Sequence, residues 1–538
     1  MSMKRRYLMI ASLVSILPAQ AADVFGKSFL SIRPGFELNL PERLTMFRDK
    51  MDLREEGRRA AFEIVPFYSK TSRPIDIAKY FLPNGKDYIT VGEDASQSAV
   101  NRSRDINAFN VGVLTYDVLG LSSYQTALND GYTHLTFESK VTFCPQQKMK
   151  GLGLAFQHRL PNDFWLEIAA PVISVQNQLG IKEEVLNSGG GNSNPDVPTG
   201  YFGSFLSALS NCNTKLKYGR MIASGNSSLM KKTRLAHIEL RAGRDMLCSE
   251  QCLFGGFLGA VLPTGNKPCG HYLFEPVVGL NKHWAFLVGS YGKYELMRDD
   301  KDRTISTLYN IVTRYYVPNL QYRSMDLRGK PWSRYMNVWK NDNSGVAVDV
   351  VDAESYFDYL INYSTLCVKV KPHFSFDFNV GFNYMHGGFV GEVGYNVYAR
   401  KAEEIFFSQP MKSGIGLPAI SNYYNDATAT DSAVLYTNSF ATINSPIFKL
   451  NQNVVDKVVN TSAPNDTNAY VPLTIDDLDP DSGAHPGTIS QTFYGSLGYE
   501  WRECEFPVFV NGGASYEVAW DNTALSRLAV WFKVGISI

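Results

Sequence analysis

The sequence predicts an all-β fold: a transmembrane antiparallel β-barrel of about 14 strands, within a range of 12 to 16, with long loops and a few short helices. Three observations carry this. First, Cys367 to Tyr384 alternates almost without fault, with Val368, Val370, Pro372, Phe374, Phe376, Phe378, Val380, Phe382 and Tyr384 on one face. The other face reads Cys367, Lys369, Lys371, His373, Ser375, Asp377, Asn379, Gly381 and Asn383. A strand of that length, apolar on one side and charged on the other, suits a wall between hydrocarbon and water. Second, the chain holds 30 Tyr and 32 Phe, a surplus that two interfacial aromatic girdles would use. Third, the mean hydropathy is slightly negative and no apolar run is long enough for a membrane helix.

In chain order, Lys4, Arg5 and Arg6 precede a short apolar run, Tyr7 to Leu17, and the small-x-small triplet Ala19-Gln20-Ala21. Charge, apolar core and small residues stand in the order of a signal peptide, expected over residues 1–21. The 22–56 segment contains a brief polar helix opened by Pro41 and is expected to be a plug or a periplasmic piece. The barrel is expected over 57–538. Strands are read at Arg58 to Tyr68, Ala108 to Tyr116, Thr133 to Phe143, Gly151 to Leu160 and Phe164 to Val175. A second block runs through Thr233 to Ala242, Leu253 to Leu262, Gly270 to Gly279 and His283 to Met297, with Asn281-Lys282 as a tight connection. Helical spacing of Ile305, Leu308, Tyr309, Val312 and Tyr315, and of Ala353, Tyr356, Phe357, Leu360 and Ile361, predicts a helical insert over 298–364. After Gly388 to Arg400 comes a long polar loop, 401–487, and then three closing strands that end at the carboxyl terminus.

The last of these carries Leu528, Val530, Phe532, Val534, Ile536 and Ile538 on one face. It resembles the C-terminal signature of Gram-negative outer-membrane β-barrels, apolar at alternate positions back from the end, although Ile538 replaces the usual terminal aromatic. The stretches Gly394-Tyr-Asn-Val-Tyr-Ala-Arg400 and Asp479-Pro-Asp-Ser-Gly-Ala-His-Pro486 look like those of uncharacterised outer-membrane proteins of this porin-like kind. The resemblance implies the bacterial outer membrane as location, outer-membrane lipid as surroundings, and insertion by the barrel-assembly machinery through the C-terminal strand.

The function expected is a porin-like channel for passive diffusion of small hydrophilic solutes, with a homo-oligomer left open. Its pore-lining candidates are Lys369, Lys371, His373, Asp377, Glu392, Asn396 and Arg400, because basic groups facing lipid at the midplane would cost about 2–4 kcal/mol each. The alternatives are a plugged barrel transporter for apolar compounds and an outer-membrane hydrolase. The eight His are scattered and no Gly-x-Ser-x-Gly occurs, so no catalytic residue is assigned and no enzyme is expected. Lys plus Arg equals Asp plus Glu, which gives nucleic acid nothing to bind. No cofactor is expected. Asp477, Asp479 and Asp481 are a weak calcium candidate, since Ser482 displaces the Gly that an EF-hand loop needs. Cys248 and Cys252, in a loop of an exported chain with seven Cys, are a candidate disulfide.

Overall fold

The computed structural model describes residues 25–37, 39–46, 59–92, 106–107, 137–188, 204–207, 209–210, 216–222, 229–249, 251–299, 303–335, 337–340, 357–418, 470–519 and 525–538. The signal-peptide region, the expected strand at Ala108 to Tyr116 and most of the 401–487 loop lie outside them.

Alternating strands build one closed antiparallel wall. Its strands are β1 (Ala60–Thr71), β2 (Gln146–Arg159), β3 in two halves (Phe164–Ala169 and Val172–Gln178), and β4 in two halves (Met230–Leu235 and Ile238–Cys248). They continue with β5 (Cys252–Leu262), β6 (Ala285–Arg298), β7 (Arg303–Tyr316), β8 (Phe374–His386) and β9 (Phe389–Arg400). The wall ends with β10 (Thr488–Trp501), β11 (Val508–Ala519) and β12 (Arg527–Ser537). The sheet holds 14 strand segments; because two strands are broken in half, the ring closes with twelve. Each strand pairs with its chain neighbours, and β1 closes the ring on β12 from Ala61↔Ser537 to Thr71↔Arg527. Closure leaves no edge in the ring, the condition for crossing hydrocarbon with strands.

The wall is apolar outside and charged inside. On opposite faces of β8, Phe382 is 54% exposed and Asp377 is 0% exposed; on adjacent positions of β12, Phe532 is 50% exposed and Lys533 is fully buried. A soluble barrel would reverse this, because water stabilises exposed charge and expels apolar surface. Tyr384, Phe389, Tyr499 and Trp501 ring one end, and Tyr68, Trp284, Tyr315, Phe374 and Tyr516 ring the other, all exposed. This is the paired girdle of a membrane-spanning barrel.

The two ends differ. Short connections, such as 160–163, 249–251 and 387–388, and both ends of the wall lie together at one rim. The long connections all leave the opposite rim, where described parts of them form a cap with its own apolar core. Tyr80, Phe81, Phe143, Phe205, Trp332 and Tyr335 pack there, and Val338, Leu360, Val368, Val370 and Leu478 form a second cluster.

Several expectations are corrected. Residues 303–316 form wall strand β7, not a helix: Ile305, Thr307, Tyr309, Ile311 and Tyr315 alternate with inward Ser306, Leu308, Asn310, Val312 and Arg314. The apolar residues at helix spacing divide between the two strand faces, and strand pairing on two sides decides for the strand. Ala353 and Tyr356 of the second expected helix lie outside the described residues; of its described residues, Phe357–Tyr359 is a strand and Ile361–Ser364 is helical. Gly270 to Gly279 forms no strand; positive φ at Gly270 and Gly279, Asn281 and Lys282 keeps this connection irregular. The Phe137–Thr142 strand belongs to a four-stranded cap sheet rather than the wall.

Candidate functional site: the barrel lumen

The lumen is filled by the chain itself. From the cap, residues 25–37 and 39–46 run down the inside of the wall toward the short-turn rim. Backbone bonds seat the start: Gly26 N–H donates to Leu82 O at 2.9 Å and Ser28 N–H to Ser482 O at 3.1 Å. The segment then touches opposite sides of the barrel. Arg33 donates to Asn396 Oδ1 at 2.8 Å, pairs with Asp377, and lies over the Tyr398 ring at 4.6 Å. Its own carbonyl accepts from Arg527 at 3.2 Å. Asn39 donates to the Asp377 carbonyl at 3.0 Å and accepts from Asn310.

Lower down, Arg43 lies between Glu63 of β1 and Glu167 of β3 and pairs with both. Lys533 of β12 donates to the backbone carbonyls of Arg43 at 3.1 Å and Thr45 at 2.6 Å. Phe36 stacks on Phe67 at 6.0 Å. It fits because Gly153 faces it: a Cβ at 153 would come to 2.0 Å from the Phe36 ring. At the far end, a Cβ on Gly498 would meet Met46 Sδ at 2.3 Å.

The wall's charges form a network of both signs. Arg241 bridges Glu167 at 2.8 Å and Glu239 at 2.7 Å, and Arg314 reaches Glu239 at 3.3 Å and Glu37 of the segment at 3.8 Å. Glu517 pairs with Arg527. Burying isolated ions costs several kcal/mol each, so such a lumen is stable only while each charge keeps its partners.

At the cap rim, Glu403 is held by Arg323 at 3.2 Å and Arg400 at 2.6 Å. Burial alone would raise its pKa, but Arg323 and Arg400 outweigh it and hold the carboxyl at about 2. The buried His485, whose amide donates to Glu403, is pushed down to about 3 by burial and then by Arg400.

The expected pore residues divide. Asp377, Glu392, Asn396 and Arg400 are inward and packed in the network or at its rim. Lys369, Lys371 and His373 are outside. The chain kinks at Pro372–His373, where His373 has φ 64°, and the strand above, Thr365–Lys371, leaves the wall for the cap. There the apolar core is inside, so Val368 and Val370 turn in, Lys369 is exposed, and Lys371 and His373 meet Glu404 at 3.3 and 2.7 Å. One alternating stretch thus crosses from membrane to water and its faces exchange roles.

The Cys248–Cys252 disulfide does not form, and Cys252 keeps a free thiol. Register opposes Cys248 to Leu253, so Cys252 faces the other side of the sheet. Ser249 closes the turn instead, its amide donating to Cys252 O at 2.8 Å. Two of the three calcium candidates are capping groups: Asp477 accepts from the Thr474 amide at 2.8 Å, and Asp479 from the Asp481 amide at 3.0 Å. Among the described residues no three metal-binding side chains converge.

The residues missed from the sequence are Arg33, Glu37 and Arg43 of the segment and Glu63, Glu167, Arg314, Glu517, Arg527 and Lys533 of the wall. Four wall members carried a signal: Glu63, Glu167, Glu517 and Lys533 are each charged between outward apolar or aromatic neighbours, as Lys533 is between Phe532 and Val534. The segment members carried none, because no local pattern says where a polar segment docks.

No protein-family model and no curated protein matches the chain. Solved structures are similar to it at low identity. An outer membrane channel from Pseudomonas putida F1 is 8% identical with a TM-score of 0.33, over 89% of this chain and 96% of that one. A Pseudomonas aeruginosa FadL homologue is 8% identical with a TM-score of 0.26, over 89% and 90% of the two chains. The Pseudomonas putida toluene transporter TodX is 8% identical with a TM-score of 0.25, over 89% of each. Likeness at this level says nothing of what this chain conducts or binds.

Proposed function

We propose that the protein is a gated channel of the bacterial outer membrane, a transport barrel rather than an enzyme. Small hydrophilic solutes would cross when the 25–46 segment leaves the lumen. The observation that supports this best is that the segment is held by polar and ionic contacts at every level, from Ser31 on Arg400 to Thr45 on Lys533. A cavity lined by Arg, Lys, Asp, Glu and Asn suits hydrated solutes, and its mixed charge favours neither anions nor cations strongly. An always-open porin does not fit a lumen so occupied. An apolar cargo would have to desolvate buried ions along its whole path.

The test is a tether. Asn39 and Asn310 are hydrogen-bonded across the lumen, so an N39C/N310C pair in a background with the native Cys replaced would lock the segment on oxidation. Liposome swelling with small sugars is expected to fall on oxidation and to return with reductant. Equal uptake by the oxidised and reduced forms would refute gating by this segment.

A further inference from the structure

The outer surface of β1 to β4 is graded by rows. At the level of Pro66, the outward residues across four strands are Pro66, Leu152, Val172 and Leu235, all apolar. One pleat toward the long-connection rim they are Tyr68, Lys150, Ser174 and Thr233, with Ser174 only 8% exposed and its hydroxyl accepting from Thr233 at 2.9 Å. One pleat further they are Lys70, Lys148, Gln176 and Lys231. Strands lie about 4.8 Å apart, so this last row spans about 14 Å. Lys70 stands directly opposite Lys148, an unfavourable like-charge pair. Among the described residues none of these four lysines makes an ion pair. Elsewhere the girdle of this rim presents exposed aromatic residues, such as Phe286, Tyr315, Phe374 and Tyr516.

We propose that Lys70, Lys148, Lys150 and Lys231 form a binding site for the phosphates of an anionic lipid headgroup in the leaflet at the long-connection rim. The sequence of rows matches a lipid from chain to headgroup: acyl chains lie on Leu152 and Val172, linkage oxygens meet the exposed Thr233, and phosphates meet the lysines. Phosphates at this height remove the repulsion between Lys70 and Lys148, and each lysine at a membrane surface adds a comparable increment of attraction. The width of the row favours a headgroup with two phosphates over one. The inference rests on the wall facing lipid, the same premise as the channel reading.

The experiment titrates the full-length protein in neutral detergent with lipid A, a bis-phosphorylated glycolipid, and counts bound lipid by native mass spectrometry. Wild type is expected to retain lipid A. K70Q/K148Q/K150Q/K231Q is expected to bind it about tenfold more weakly or worse, while K369Q/K371Q, on the outside of the cap, leaves it unchanged. Should the quadruple variant not fold, K148Q alone is expected to weaken binding by about threefold or more. Equal binding by wild type and variants would overturn the proposal. So would inorganic phosphate binding as tightly as lipid A, since the apolar row would then contribute nothing. A chain that stays monodisperse without detergent would instead overturn the membrane premise and both readings with it.

Discussion

Arg43 is the most exacting place to perturb the lumen. It is 1% exposed and pairs with Glu63 and Glu167 on two wall strands. Replacing it with Ala leaves two buried carboxylates short of a cation, since Lys533 at 3.4 Å from Glu63 and Arg241 at 2.8 Å from Glu167 only partly compensate. Removing one partner of a buried pair costs about 3–5 kcal/mol. Water can enter this lumen once the segment moves, so the low end applies. About 3 kcal/mol of lost closure shifts the closed-to-open ratio by more than about a hundredfold. In planar bilayers R43A is expected to show long open steps where wild type is mostly closed. R43A/E63Q/E167Q is expected to close again in part, because the stranded charges are gone. Unchanged open time in R43A would refute the reasoning, and so would a wild type that conducts steadily.

G153V would drive Phe36 from its seat, because the added Cβ falls 2.0 Å from the ring; solute uptake in liposome swelling is expected to rise with the barrel still resistant to detergent until heated. F382R places a cation on the lipid face of β8 and is expected to cost about 2–4 kcal/mol in folding into lipid vesicles, whereas K369E on the cap is expected to cost little. The cap should loosen in acid. His485 has its folded pKa lowered to about 3, so its contribution is complete above the ordinary His value of 6.5 and is lost as pH falls toward 3. Glu403, lowered to about 2, contributes above its ordinary value of 4.5 and is lost as pH falls toward 2. Trp332 fluorescence is expected to report loosening that starts below about pH 6, and H485F is expected to delay its onset to the carboxylate range.

The membrane fold was legible because alternation survives at single-strand level. Phe374 to Tyr384 shows apolar residues facing one way and Ser375, Asp377 and Asn379 the other, and no partner is needed to see it. The strand count was less legible. Ala170-Pro171 and Ala236-His237 break β3 and β4 without ending them, and Thr365–Lys371 is a strand that leaves the wall. A kink at His373 exchanges inside for outside, so the same periodicity reads correctly below it and wrongly above. The helix expected at Ile305 to Tyr315 failed because its five apolar residues stand at helix spacing but divide between the two faces of the strand, Leu308 and Val312 inward; pairing with β6 and β8 selects the strand. The lumen's charges were half legible. Asp377 and Asn396 stand on visible polar rows, but Arg33 reaches them by a fold-back of more than 300 residues, and Arg43 reaches Glu63 and Glu167 on two other strands.

The wall is turned inside out relative to a soluble sheet, with Phe rows in hydrocarbon and charges around the segment. Nitroxide labels at positions 382, 497 and 532, compared with labels at 310 and 396, test this in lipid bilayers. The first set is expected to collide with dissolved oxygen and to be shielded from a water-soluble nickel chelate, while the second is expected to be shielded from oxygen. Labels at 382 and 532 that meet the nickel chelate as freely as a cap label at 369 would contradict it.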